Sequence, residues 1–237
     1  MPRHQRERLD AGIEVLRLDR PEARNALDTA ALIELEASLE ELAADGRLRA
    51  LVVSTTDPRA LCAGADLAEE LDDDAAVARM EAFARVYAAV GAFPAPTVAV
   101  CVGHVVGAGA ELAAGCDLRV AGDTLRLMWA GARMGAPVGP ARLVPLVGLA
   151  VAKDLILTGR AVGADEALRL GLVHRVVAAG GAEAAAIALA REIAAHDPAG
   201  VRALKALFAR LDGGGARTAT ENAALVAWQR GGGRLAR

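Results

Sequence analysis

Aromatic side chains are scarce in this chain: Phe, Trp and Tyr make up 3% of 237 residues that are 54% hydrophobic overall. A core without large rings must be assembled from Ala, Val and Leu, with helices and strands packed closely over small side chains. The length still allows one sizeable domain, or one domain with a helical appendage. Cysteine is also sparse. Cys62, Cys101 and Cys116 are an odd number with no metal-ligand spacing, which excludes a paired disulfide framework and a zinc motif. Each lies among Ala, Gly and Val, so they read as small buried hydrophobes in a reducing compartment. No charge sign dominates: a net charge of −3 gives no long-range pull on nucleic acid or acidic membrane. No apolar run approaches the roughly 20 residues of a membrane span. The charged first residues lack the apolar stretch of a secretory leader, so the expected location is the cytoplasm. The acidic cluster Glu69, Glu70, Asp72, Asp73 and Asp74 has no His or Cys nearby and reads as a solvated loop or helix start; no metal is expected.

What is present is alternation. Residues 13–18 form an apolar run closed by Asp19-Arg20-Pro21, which predicts a strand. Leu32, Leu35, Leu39 and Leu42 follow at helical spacing, with Asp28 as the N-cap. Strands are predicted at 50–54, 97–102 and 116–120, and an amphipathic helix at 77–90. Helices alone follow, at 141–157, 164–170, 182–195, 199–211 and 217–229. This order predicts a parallel α/β core with an α-helical C-terminal extension.

Two glycine-rich loops stand out, Ala60-Leu-Cys-Ala-Gly-Ala-Asp66 and Gly103-His-Val-Val-Gly-Ala-Gly-Ala-Glu111. Each follows a predicted strand and leads towards a helix, where unpaired backbone N–H groups collect. Two such groups converging on one point make an oxyanion hole. A plainer reading of Gly107-Ala-Gly109 is tight strand–helix packing. A dinucleotide fingerprint is disfavoured, because it needs glycine where Leu112 stands. Glu111 lies three residues after Ala108, so on a helix both face the same way. By spacing alone it reads equally as a first-turn residue complementing the helix dipole. Trp129 reads as core or a pocket wall, Arg133 and Arg142 as solvent-facing, or as partners of an acyl carboxylate, and His104 as holding a structural hydrogen bond. Asp66 and Asp117 read as turn residues that bond backbone.

Four segments together resemble one family. Leu18-Asp-Arg-Pro-Glu-Ala-Arg-Asn-Ala-Leu27, Leu61-Cys-Ala-Gly-Ala-Asp-Leu67, and Gly107-Ala-Gly-Ala-Glu-Leu112 running on to Gly115-Cys-Asp117 come first. Thr158-Gly-Arg160 with Ala164-Asp-Glu-Ala-Leu-Arg-Leu-Gly-Leu-Val173 completes the set. In this order they resemble the crotonase superfamily, the enoyl-CoA hydratase/isomerase family. The resemblance implies a crotonase-like ββα spiral core over 1–178, holding an acyl-CoA site. Residues 179–237 would be a C-terminal helical oligomerisation segment, with chains assembled as homotrimers or hexamers.

It also implies roles. Ala65 and Ala108 match the oxyanion-hole positions that polarise a thioester carbonyl, and Glu111 matches the first catalytic glutamate. The second glutamate's place falls at Gly131. Arg24, Ala63, Gly64, Ala65, Asp66, Leu67, Ala68, Gly107, Ala108 and Gly109 match CoA- and substrate-binding positions. No cofactor is implied beyond the CoA moiety of the substrate. The implied activity is that of an enoyl-CoA hydratase (lyase) or isomerase-like enzyme of fatty acid metabolism, with Glu111 moving a proton. The alternatives are isomerisation or another crotonase reaction run with one carboxylate, or a catalytically impaired protein that binds CoA thioesters.

Overall fold

The computed structural model describes residues 2–236; Met1 and Arg237, the outermost residues of the two expected segments, lie outside it. Among the described residues nine strands form two sheets. The larger has the order β1 (His4–Arg8), β2 (Ile13–Leu18), β3 (Ala50–Thr55), β5 (Thr97–Cys101), β7 (Leu118–Gly122), β9 (Arg175–Val177), and only β1 runs antiparallel to its neighbour. The smaller is a parallel sheet of three-residue strands, β4 (Ala60–Cys62), β6 (His104–Val106) and β8 (Arg126–Met128).

The chain therefore climbs as a spiral. Each turn gives one strand to the large sheet, one to the small sheet, then a helix. β3 and β4 lead to α2 (Asp73–Gly91), and β5 and β6 to α3 (Ala108–Gly115). β7 and β8 lead to the short α4 (Gly131–Met134). This is the ββα spiral core expected from the sequence, with α7 (Ala182–Ala194), α8 (Pro198–Asp212) and α9 (Gly214–Arg230) as its helical extension.

The large sheet is covered on both faces, which is why its central strands read as unbroken apolar runs. In β3, Ala50 and Val52 point to one face, where Val15, Val98 and Val100 meet Ala186 and Ala190 of α7. Leu51 and Val53 point to the other, joining Leu32, Leu35 and Leu39 of α1 (Thr29–Ala44). Each such Leu contributes about 1.5–3 kcal/mol on burial. The helix starts follow local chemistry. The Asp28 carboxylate accepts from the Ala31 N–H at 2.7 Å, and Asp72 does the same for Ala75 at 2.8 Å. Thus Asp72, Asp73 and Asp74 of the acidic cluster form a capped helix start, while Glu69 and Glu70 lie in the loop before it.

β1 was not legible as a strand. Its His-Gln-Arg-Glu-Arg sequence has no apolar face, and ion pairs of Arg6 and Arg8 with Glu14, 3.2 and 3.3 Å, accompany its pairing with β2. The helix expected at 141–157 is α5 (Pro140–Thr158), broken where Gly148 takes φ +76°. α6 (Ala164–Arg169) precedes β9. All three cysteines are buried and free. Burial pushes the Cys62 thiol up to about 12, so it behaves as an apolar group. Among the described residues no helix is long and apolar enough to cross a membrane.

Candidate active site

The first loop leaves β4 under tight backbone control. Ala63 N–H donates to Arg24 O at 3.0 Å, Leu27 N–H to Gly64 O at 2.8 Å, and Asp66 N–H to Leu27 O at 2.9 Å. Leu27 and Ala65 thus form a parallel bridge. In that pattern the N–H of Ala65 points away from Leu27, and it donates to no described residue. Asn25, buried with φ +56°, braces the same segment by donating to Thr55 Oγ1, Ala60 O and Leu61 O.

The second loop turns at Gly107, whose φ of +49° lies where side chains are rarely accommodated. Its N–H is held by Met128 O at 2.9 Å. α3 begins at the next residue, so the N–H of Ala108 has no intrahelical acceptor and donates to no described residue. The loops touch: a Cβ on Gly107 would lie 4.0 Å from Gly64 Cα.

Both free N–H residues line one cavity of about 370 Å³. The first loop contributes Ala63, Gly64, Ala65 and Leu67, the second Gly107 and Ala108, and Gly131 adds to the opposite end of the motif set. Met80, Phe83, Tyr87, Leu225 and Leu235 add a largely apolar surface, and Arg133 brings a charged side chain to the lining. Those five were not legible as site residues, because α2 and the C-terminal region carry no motif. Arg24, Asp66, Ala68 and Gly109 stand off this wall. Asp66 is a brace: it accepts from the Ala68 N–H at 2.9 Å and pairs with Arg20 at 2.8 Å. Asp117 likewise accepts from the Thr97 N–H at 2.7 Å. The hydrogen bond expected for the His104 side chain is absent among the described residues.

Gly131 opens α4 in a space that admits no side chain. A Cβ there would come 2.5 Å from Val138 O and 2.9 Å from Ala136 O. The space a side chain at position 131 would need is held by these two backbone carbonyls.

Glu111 sits one turn along α3 from Ala108, 2% exposed and behind the cavity wall rather than on it. Its Oε2 accepts from Arg142 Nε at 2.5 Å, while Oε1 accepts from no described residue. Arg142 Nη2 donates to Glu221 Oε1 at 3.0 Å, and Glu221 Oε2 accepts from the Ala141 N–H at 2.7 Å. The Arg142 guanidinium lies 4.6 Å from the centre of the Tyr87 ring, a cation–π contact. The solvent-facing position expected for Arg142 is therefore corrected: it is 7% exposed, the centre of a buried cluster whose members lie far apart in sequence. Arg133 is exposed and also stands on the cavity wall, a position compatible with both readings expected for it. Burial pushes the Glu111 carboxyl up to about 7; Arg142 opposes the shift and the like charge of Glu221 adds to it.

Residues 8–223 match the sequence model of the enoyl-CoA hydratase/isomerase family. The chain belongs to that family. It is 39% identical over 226 residues to a putative enoyl-CoA hydratase of Thermus thermophilus, covering 92% of this chain and 89% of the relative. It is 36% identical over 195 residues to a 2,3-dehydroadipyl-CoA hydratase of Escherichia coli, covering 81% and 76%. Among solved structures, an enoyl-CoA hydratase/isomerase of Xanthobacter autotrophicus Py2 superposes with a TM-score of 0.88 at 29% identity, covering 98% of this chain and 88% of that one. The fold is thus the crotonase spiral, and the chain is an enzyme of the hydratase or isomerase kind.

Proposed function

We propose that this protein binds an acyl-CoA thioester and moves a proton at the carbon next to the thioester carbonyl, with Glu111 as the proton-transfer residue. The observation that carries this reading is the pair of free N–H groups, Ala65 and Ala108, on one wall of an apolar cavity. Donors fixed in the backbone stabilise the oxyanion of an enolate without reorganising as it forms, and each is worth a few kcal/mol. Glu111 takes a proton from the α-carbon of a 3-enoyl thioester; the electron pair passes into a dienolate whose oxygen rests on the two N–H groups. Return of that proton to the γ-carbon leaves the 2-enoyl thioester, so one carboxylate serves both halves of the shift. Adding water usually employs a second carboxylate; the position read as its match holds Gly131, where a Cβ would meet Val138 O at 2.5 Å and Ala136 O at 2.9 Å, which supports a one-carboxylate reaction. Double-bond shift is accordingly favoured over hydration.

The acyl group itself is apolar over most of its length in this reading, given the Met80, Phe83 and Leu225 lining. The CoA moiety is the only cofactor-like group required. Self-association belongs to the same proposal. Leu204, Leu207, Phe208 and Leu211 form an exposed apolar row on α8, 57%, 41%, 69% and 77% exposed, at the spacing of one helical face. Sedimentation of the purified protein as a monomer would remove that part.

One observation favours a second reading, a CoA-thioester binder without turnover: the Glu111 carboxylate is engaged by Arg142 behind the cavity wall. Mass spectrometry of a mixed enoyl-CoA pool incubated with the protein in deuterated water separates the cases. Deuterium uptake with a shifted double bond supports the proposal. Gain of water restores hydration, and an unchanged pool that still gives calorimetric heat with acetoacetyl-CoA leaves the binder.

A further inference from the structure

We propose that Arg142 and Glu221 are positioning residues for Glu111, and that α9 is thereby part of the catalytic unit rather than only its cover. This rests on the reading of Glu111 as the proton-transfer residue. The geometry divides the three groups by function. Arg142 engages one oxygen of Glu111, Oε2 at 2.5 Å, and Oε1 accepts from no described residue, the unpartnered Trp129 Nε1 being the one other donor that acts on this carboxylate. A carboxylate held by one oxygen keeps the other free to take and return a proton. Glu221, by contrast, has both oxygens engaged, one by Arg142 at 3.0 Å and one by the Ala141 N–H at 2.7 Å. Its role is to anchor the guanidinium. Tyr87, which also lines the cavity, carries the guanidinium on its ring and fixes its plane.

The charges reinforce the division. Two carboxylates face one guanidinium in a buried cluster, so full ionisation leaves an excess negative charge that low dielectric penalises. The groups that set the Glu111 ionisation are Arg142 on α5, Glu221 on α9 and the indole of Trp129 just before α4, and the buried Tyr87 on α2 and the Cys62 thiol on β4 stand beside them. Glu221 is the only other carboxylate among them, and it tunes when Glu111 becomes a base. No sequence motif contains both partners: Glu111 and Arg142 stand 31 residues apart, Arg142 and Glu221 79.

The test follows the Glu111 titration directly, by carbon-13 NMR of protein labelled at glutamate Cδ, with Glu111→Gln assigning the resonance. Glu221→Gln keeps the size and an acceptor oxygen but removes one negative charge. It should move the Glu111 midpoint down by on the order of one unit, and the pH midpoint of deuterium exchange into substrate should move with it. Arg142→Lys keeps a cation without the two-pronged grip. It should retain a Glu111 midpoint near that of the parent while kcat falls and KM holds. A Glu111 titration unmoved by Glu221→Gln overturns the proposal, even if that variant melts earlier, because a merely structural ion pair would do only that. Should Arg142→Lys not fold, Glu221→Gln decides alone. If the parent protein exchanges no deuterium, the proposed reaction fails, and the NMR titration still decides whether Arg142 and Glu221 set the ionisation of Glu111.

Discussion

The cavity wall and the cage behind it are built of different material. On the wall, the donors the two loops present are backbone N–H groups of Ala65 and Ala108, aimed by a parallel bridge at Leu27 and by the turn at Gly107. Behind it, the polar groups are side chains, Glu111, Arg142 and Glu221, desolvated and dependent on one another. A donor fixed in the main chain survives changes of side chain. A buried ion cluster does not, since losing one member leaves an uncompensated charge. The two regions should therefore respond to substitution in opposite ways.

The largest effect is expected behind the wall. Glu111→Gln removes the one carboxylate assigned to proton transfer and should lower kcat for deuterium exchange by about 10²–10⁴-fold, with thioester binding in calorimetry kept. Retained exchange would move the chemistry elsewhere. The pH dependence has a definite sign. Glu111 must start ionised to act as a base, and burial raises its pKa to about 7. Exchange should accordingly rise with increasing pH through about 7 and level off above it.

On the wall, the backbone itself has to be changed. Ala108→Pro removes the N–H at the first position of α3, where proline's φ suits a helix start. A rate loss of about 10²–10³-fold, with the melting temperature little altered, is the expected result. An unaffected rate would show that this N–H is not part of the hole.

The contrast also explains what sequence could reveal. The second loop is local, turning from β6 into the start of α3, and was legible as it stood. Ala65, by contrast, lies well before α2 and owes its free N–H to the bridge with Leu27 rather than to the helix start expected there. The Asp28 cap and the apolar strand 13–18 were legible too, because propensity and burial agree there. The small sheet was not legible, since three-residue strands carry no period. The cage was not either. Arg142 meets Glu221 only because α5 and α9 pack together, and a lone arginine in a loop-like stretch reads as solvated until its burial is known. That position 131 has no room for a side chain was not legible, because the oxygens that fill the space belong to a loop that folds back over it.

That loop sets a smaller effect. Gly131→Ala drives a Cβ to 2.5 Å from Val138 O, against main chain that cannot turn aside as a side-chain tip would. Overpacking of this kind costs typically 1–3 kcal/mol, read as a lowered denaturation midpoint. Gly131→Glu meets the same carbonyls and should not gain hydration of 2-enoyl thioesters. If it does, the loop is more yielding than its contacts imply, and the missing carboxylate is a choice of residue rather than of backbone.

The smallest effect sharpens the comparison most. Ala65 is half-buried on the wall, and its N–H is directed by the hydrogen bonds of its neighbours Gly64 and Asp66 with Leu27. Ala65→Ser adds one oxygen to the side chain and leaves that bridge and its N–H in place. The exchange rate should change by no more than about twofold, the range of substitutions that disturb no cap, cavity or buried pair. A large loss at Ala65→Ser alongside a small one at Ala108→Pro would invert the scheme: side chains would then govern the wall, and the free N–H groups would be an incidental product of the turns.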